Sequence, residues 1–361
     1  MSDLGHEWTE RRIRELEARI RDAYEDAIID VEDKMAEFVA KHEAKNRDLL
    51  DKLKAGKITK DDYKMWLAGQ VFQRKRWQAT LDDLTETLAR ANQIAMQIIN
   101  EEVPEVFAYN ANWASYTAEK QLDAAGYRFT TVKRPGGREV SAEESATSNT
   151  LATIRFGWGL YDADTVKILL RDEPDLLPPS RVDIPKDKRW NMGNITRQVM
   201  QGIVQGESLE QVAKRLRTVA EMNIDSARTH ARTAMTGAQN AGRMESYERL
   251  ERRGIRVERE WIAALDSHTR EAHALLDGQH VPVDKPFEVT YKGRTYKIWY
   301  PGDPSAHPSM VYNCRCALGA YLPDFPPENG KRRDDDPSGK PIRDMTYQEW
   351  LEYKRGEAEG E

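Results

Sequence analysis

Cysteine is nearly absent from this chain. There are two in 361 residues, both within the tripeptide Cys314-Arg315-Cys316. A bridge between residues two apart is strained and no other thiol is available, so a disulfide framework is excluded and a reducing compartment fits. Long apolar runs are missing too. No stretch approaches the roughly 20 residues a membrane span needs, and the opening residues MSDLGHEWTERRIREL carry no apolar segment of signal-peptide type. The expectation is a chain made and used in a cytoplasm, with no membrane partner. Nor is there an excess of positive charge. With 55 Lys and Arg against 61 Asp and Glu the net charge is −6, so no global basic field recommends nucleic acid as the main partner. The local cluster Arg252, Arg253, Arg256 and Arg259 reads as the solvated face of a helix and its exit loop. Gly-Lys occurs only as isolated pairs, as at Gly56-Lys57, Gly330-Lys331 and Gly339-Lys340, so there is no phosphate cradle of Walker or dinucleotide type.

What the chain does have is charge and helical periodicity. Charged residues make up 32% and the mean hydropathy is −0.78, which suits long helices with much exposed surface. From Trp8, the apolar positions Ile13, Leu16, Ile20, Ala27, Val31, Met35 and Phe38 recur at steps near three and four. Gly56 interrupts the run, and Thr59 with Asp62 makes a capping-box-like restart. A second run carries Trp66, Val71, Trp77, Leu81, Leu84, Leu88, Ala91, Ile94 and Ile98, and stops before Pro104. Residues 1–105 therefore read as a helical hairpin arm whose apolar stripe needs a partner surface.

Residues 106–188 read as a mixed segment and linker. A short helix is expected near Asn112 to Ala125, a strand at Arg128 to Val132, a turn at Arg134 to Gly137, and a Pro- and Asp-rich linker from Asp172 to Lys188. Residues 189–254 are helical. One helix spans Met192 to Val204, a second is capped by Ser208 with Gln211, and a long third runs from about Asp225 to Arg253 and closes at Gly254. Ala227, Ala231, Ala234, Ala238 and Ala241 give the third a small-residue face suited to burial. Residues 255–322 change character. Ile255 to Ile262 alternates as a half-buried strand, and Val289 to Trp299 reads as two strands around Lys292-Gly293. Residues 323–361 read as a polar tail with a small amphipathic helix near Met345 to Leu351. The fold class expected is α+β, predominantly helical, with a compact C-terminal module.

The chemistry concentrates between Trp261 and Cys316. Four of the seven histidines (268, 273, 280 and 307) and both cysteines fall there, and His and Cys are the nitrogen and sulfur ligands that zinc prefers. On a helix, Asp266, Arg270 and His273 lie at i, i+4 and i+7 and share one face, with Asp266 and Arg270 placed to form an ion pair. Two readings stand. In one, His273, Cys314, Cys316 and a fourth ligand, His307, hold a structural zinc. In the other, the cysteines are small buried residues and His273 is a hydrogen-bonded core histidine.

A family resemblance rests on particular residues. Trp190-Asn191, Gln205-Gly206-Glu207-Ser208 and Ala231-Arg232-Thr233-Ala234-Met235-Thr236-Gly237-Ala238-Gln239-Asn240-Ala241-Gly242-Arg243 resemble the upstream half of the phage Mu F-like domain. Trp261, Asp266-Ser267-His268-Thr269-Arg270-Glu271-Ala272-His273, Leu276-Asp277-Gly278, Pro301-Gly302-Asp303-Pro304 and Tyr312-Asn313-Cys314-Arg315-Cys316 resemble its downstream half. The match runs over roughly 190 to 320. It marks Arg232, Thr233, Asn240, Trp261, Asp266, Arg270, His273, Gly278, Asn313 and Arg315 as motif positions. Some relatives carry a Cys-x-x-Cys pair where this chain has Arg270 and His273. That implies ligand-type positions at His273, Cys314 and Cys316, with Arg270 a non-ligand and His307 a loose match. Position 268, usually Arg, is His here.

The resemblance implies a minor capsid protein of a tailed bacteriophage, assembled with portal, major capsid and scaffold proteins in the virion head near the portal, and not an enzyme. Two alternatives are weighed beside it. A metal-dependent hydrolase or toxin-like effector packaged in the virion would use Asp266, His273 and Cys316, but no His-Glu-x-x-His arrangement is present. A DNA-contacting internal head protein would use Arg228, Arg232 and Arg243, but the alanine face beside them argues for burial, with Arg232 tying the helix to the C-terminal module.

Overall fold

The computed structural model describes residues 3–40, 43–72, 75–124, 161–172, 184–205, 207–264, 266–325, 331–333 and 341–343. The expected strand at 128–132, the turn at 134–137 and the helix near 345–351 lie outside them. Helix α1 spans Leu4–Ala40 and buries Ile13, Leu16, Ile20, Ala27, Val31 and Met35, joined by Tyr24 and Ile28. α2 (Glu43–Lys54) and α3 (Lys60–Phe72) follow. Between them Gly56 takes a left-handed φ of +67°. Thr59 Oγ1 accepts from the Asp62 amide at 3.1 Å while Asp62 accepts from the Thr59 amide at 2.9 Å, so the carboxylate works as a capping-box partner. α4 spans Lys75–Ala124 without a break at Pro104, which corrects the expected stop and absorbs the separate helix near Asn112. A proline removes one backbone donor. Here Val103, Val106, Phe107, Ala108 and Ala111 are all buried around it, and that packing carries the helix through.

α5 is Ala163–Asp172 and α6 is Ile184–Gln205, so the last residues of the expected linker are helical. α7, Leu209–Glu251, is one helix of 43 residues where two were expected. Ser208 and Gln211 cap it reciprocally at 2.8 and 3.2 Å. Nothing between Val219 and Asp225 interrupts it, because Ala220 to Ile224 contain no Gly or Pro. Gly254, at φ +82°, follows its end. The five alanines of its small face are all buried.

Contacts divide the chain into two compact units. One consists of residues 15–99 and 180–229. There Tyr24 donates to Asn92 and Asn223 to Asn191, and Arg228 pairs with Glu17. The other consists of residues 1–14, 100–179 and 230–361. In it Gly242 sits so close to the Phe107 carbonyl that a Cβ would overlap it. Trp8 stacks on Tyr109 with centroids 4.0 Å apart. The Arg243 guanidinium reaches both Asp3 carboxylate oxygens, at 2.7 and 2.8 Å.

The second unit also holds the strands. β1 (Glu258–Ile262) is central, flanked antiparallel by β2 (His280–Pro282) and β5 (Ala317–Tyr321). β3 (Phe287–Tyr291) and β4 (Arg294–Ile298) form a hairpin. Its turn residues Lys292 and Gly293 both have positive φ, +49° and +75°, as a two-residue primed turn requires. β6 (Lys331–Arg333) pairs with β7 (Pro341–Arg343) inside what read as a polar tail. β1 also corrects the reading of Arg259. Val257, Arg259 and Trp261 share the buried phase, so this arginine faces inward. It donates to the carbonyls of Trp299, Pro282 and Lys285 and lies over the Phe287 ring. Burial lowers its pKa to about 10, partly offset by Glu248, Asp284 and Asp303.

Candidate metal centre

His273 is delivered by a single turn, α8 (Glu271–Ala274), and Cys314 and Cys316 by the strand-like approach to β5. All three side chains are buried. The His273 Nε2 lies 3.1 Å from the Met310 carbonyl. A carbonyl only accepts, so Nε2 carries the proton and Nδ1 presents its lone pair. That nitrogen faces both sulfurs, at 3.6 Å from Cys314 Sγ and 3.4 Å from Cys316 Sγ. The three ligand-type atoms all lie within 4.8 Å of one another.

The electrostatics match the geometry. A hydrogen bond from Cys316 holds the Cys314 thiol well below its usual range against the effect of burial, with His273 and the Cys316 amide assisting. Cys316 is pushed the other way by Cys314 and by burial, while the Ala264 backbone and the Trp261 indole act against that rise. The Trp261 indole N–H is buried without a hydrogen-bond partner of normal geometry, and its ring meets His273 edge-on at 5.4 Å. Two thiols, one imidazole with its far nitrogen anchored on a carbonyl, and a spare donor near sulfur make a donor set that fits zinc. Above the cluster is a cavity of about 110 Å³, lined additionally by Ala264, His268, Thr269, Arg270, Asn313 and Arg315.

Two expectations about this segment change. Asp266, Arg270 and His273 do not share a helix, because only Glu271–Ala274 is helical and the residues before it form a turn. Asp266 accepts the His268 amide at 2.9 Å and pairs with Arg315, and Arg270 donates to the Tyr312 carbonyl. The arginine between the two cysteines thus takes the part expected of Arg270. The structure does not bring His307 to the cluster. It is exposed and acts as the N-cap of α9 (Pro308–Val311), its ring accepting from the Ser309 amide.

The other motif positions build the support. Asn240 is buried, donates to the carbonyls of Thr236, Pro301 and Cys316, and accepts from the Leu318 amide at 2.8 Å. Thr233 Oγ1 accepts from the amide of Asn313, which holds a positive φ of +54°. Gly278, at φ +71°, donates its N–H to the Trp261 carbonyl. Arg232 pairs with Glu10 of α1 at 2.9 Å, so the tie found for it leads to α1. Arg228 and Arg243 likewise face acids, Glu17 and Asp3. Two residues quoted within the motifs but given no role there also build the support: Asp277 accepts from the Ala263 amide, and Asp303 accepts from the amides of Trp299 and Ser305. Their places beside Gly278 and Gly302 were the available signal, since a short carboxylate next to a left-handed glycine commonly closes a turn.

Residues 193–319 match the family described as Phage Mu protein F like protein. The chain thus carries a Mu F-like module over these residues. The Mu F-like chain is 31% identical over 202 residues to the minor head protein GP7 of Bacillus phage SPP1, covering 55% of this chain and 63% of that one. It is 30% identical over 163 residues to the NAD(+)--arginine ADP-ribosyltransferase EFV of Enterococcus faecalis, covering 44% of this chain and 31% of that protein. The uncharacterized protein YqbB of Bacillus subtilis is 26% identical over 122 residues, 33% of this chain and 38% of that one. The Mu F-like chain spans less than two thirds of the length of these relatives. No solved structure matches it.

Proposed function

We propose that this Mu F-like chain is a minor head protein of a tailed bacteriophage, acting with the portal, major capsid and scaffold proteins during head assembly and residing in the virion near the portal. The observation that carries this reading is the likeness to the SPP1 minor head protein, which extends beyond the module to 202 aligned residues. The helical segment before the module is the proposed docking element. Co-expression with the portal protein of its own phage tests the reading. Co-purification at a fixed stoichiometry is expected, and clean separation of the two chains counts against it.

In this reading the His273, Cys314 and Cys316 cluster holds a structural zinc that fastens α8 to the approach to β5. When bound, the ion supplies a clamp between α8 and the segment that leads into β5. Chelation is expected to lower the melting temperature of wild type but not that of Cys314→Ser, and zinc below about 0.1 per chain would remove the clamp from the account. Among the described residues lining the cavity there is no carboxylate to activate water, which favours a structural role over hydrolysis. The transferase named among the relatives gives the effector reading its one observation. Incubation of the purified chain with NAD+ is expected to release no nicotinamide, and release would favour that reading. Contact with packaged DNA is at most a side role, because Arg228, Arg232 and Arg243 face carboxylates.

A further inference from the structure

We propose that His268 is the fourth metal ligand, closing the cluster into a Cys2His2 site by rotation of its side chain into the cavity above His273, Cys314 and Cys316. The inference rests on the zinc reading above and deepens it. Three side chains hold their donor atoms within 4.8 Å of one another, and a structural zinc site takes four protein ligands in a closed tetrahedron. The cavity adjoining these atoms shows where the fourth must come from. Of its six other lining residues, Ala264, Thr269, Arg270, Asn313 and Arg315 offer no sulfur, imidazole or carboxylate donor, and His268 does.

The local backbone suits the movement. The amide of His268 is tied to Asp266 Oδ1 at 2.9 Å, and the Thr269 hydroxyl donates to the Ala264 carbonyl, so the turn is held at the cavity rim. Asp266 is itself fixed by Arg315, the residue between the two cysteines. The imidazole, by contrast, is exposed and makes a single long contact, 3.5 Å to Ser267 Oγ. A side chain on a fixed backbone with a free ring reaches a new position through its two side-chain torsions alone. Coordination by the neutral ring needs no proton removed from His268, and any proton displaced on zinc binding comes from the cysteine pair.

The test compares wild type, His268→Ala and His307→Ala, each stripped of metal and titrated with Zn2+ against a chromophoric chelator and with Co2+ followed in the visible. His268 is exposed, and the melting temperature of each metal-free chain checks that the fold is unaltered. Wild type is expected to bind one ion per chain with an intense tetrahedral Co2+ spectrum. His307→Ala should match it. His268→Ala should lose more than the roughly 10–100-fold that removal of a supporting outer residue costs, and its Co2+ bands should shift as a nitrogen ligand gives way to water. Equal affinity and an unchanged spectrum for His268→Ala would overturn the inference while leaving the zinc reading intact. Failure of wild type to bind either ion would remove both, and the two results are distinguishable in one titration series.

Discussion

Asn240 shows how much of the module depends on single side chains. One buried amide serves carbonyls from α7, from the loop after β4 and from the cysteine segment, and its oxygen holds the start of β5. Asn240→Ala is expected to cost about 2 kcal/mol or more, because it strands several buried partners at once. Asn240→Asp, nearly identical in shape, should be worse, since a carboxylate would face carbonyls and bury an uncompensated charge. Denaturant titration orders the two, and an Asp variant as stable as the Ala variant would contradict these contacts. The candidate centre was legible at this scale because His and Cys are scarce and crowd into one segment. Its wiring was not. The carboxylate of Asp266 meets Arg315 rather than Arg270 because residues 266–270 form a turn, and short segments with helical spacing do not reveal that. Arg259 was hidden by its basic neighbours. The clue was the phase of β1, where Val257 and Trp261 mark the inward side and an arginine between them must also point in.

Elements were more readable than their ends. The periodic apolar positions of α1, α4 and α7 announce helices, and the reciprocal caps at Thr59 and Ser208 follow from residue type and spacing. Continuity did not follow, because Pro104 breaks a helix only where burial on either side is too weak to hold it. Glycines separate close packing from local freedom. Gly242 meets the Phe107 carbonyl directly, whereas Gly193 on α6 has open space where a Cβ would stand. Gly242→Ala should therefore lower the melting temperature by forcing α4 and α7 apart. Gly193→Ala should raise stability by about 0.5–1 kcal/mol, the ordinary helical preference for alanine. Thermal scans of the two variants test both signs together, and a gain for Gly242→Ala would deny the close approach.

For the molecule as a whole, the decisive contact joins two segments of one compact unit that lie far apart in sequence. Burial opposes ionisation of Asp3, yet the Arg243 guanidinium overrides it and brings the pKa from 3.8 to about 2. A carboxyl with a depressed folded-state pKa stabilises the fold above its unfolded value and loses that contribution as the pH falls through the folded one. The stability gap between wild type and Asp3→Asn should thus be constant above about pH 4 and narrow towards pH 2. A gap independent of pH in that window would mean the ion pair does not form. The overall division of the chain was not legible from sequence, because it depends on pairings such as Asp3 with Arg243, Glu10 with Arg232 and Trp8 with Tyr109, which no local pattern announces.

The same pairing imposes an order on synthesis. Asp3 and Arg243 are 240 positions apart, so the first helical turns leave the ribosome long before the groups that hold them exist. Through most of translation Trp8 and Ile13 have no finished core to enter, and closing so distant a contact is entropically costly and slow. A chain that terminates before β5 never gains the Leu318 carbonyl that also receives Arg243. Completion of this unit therefore waits until β5 has been made, and a chain cut short before it leaves Arg243 with one acceptor fewer.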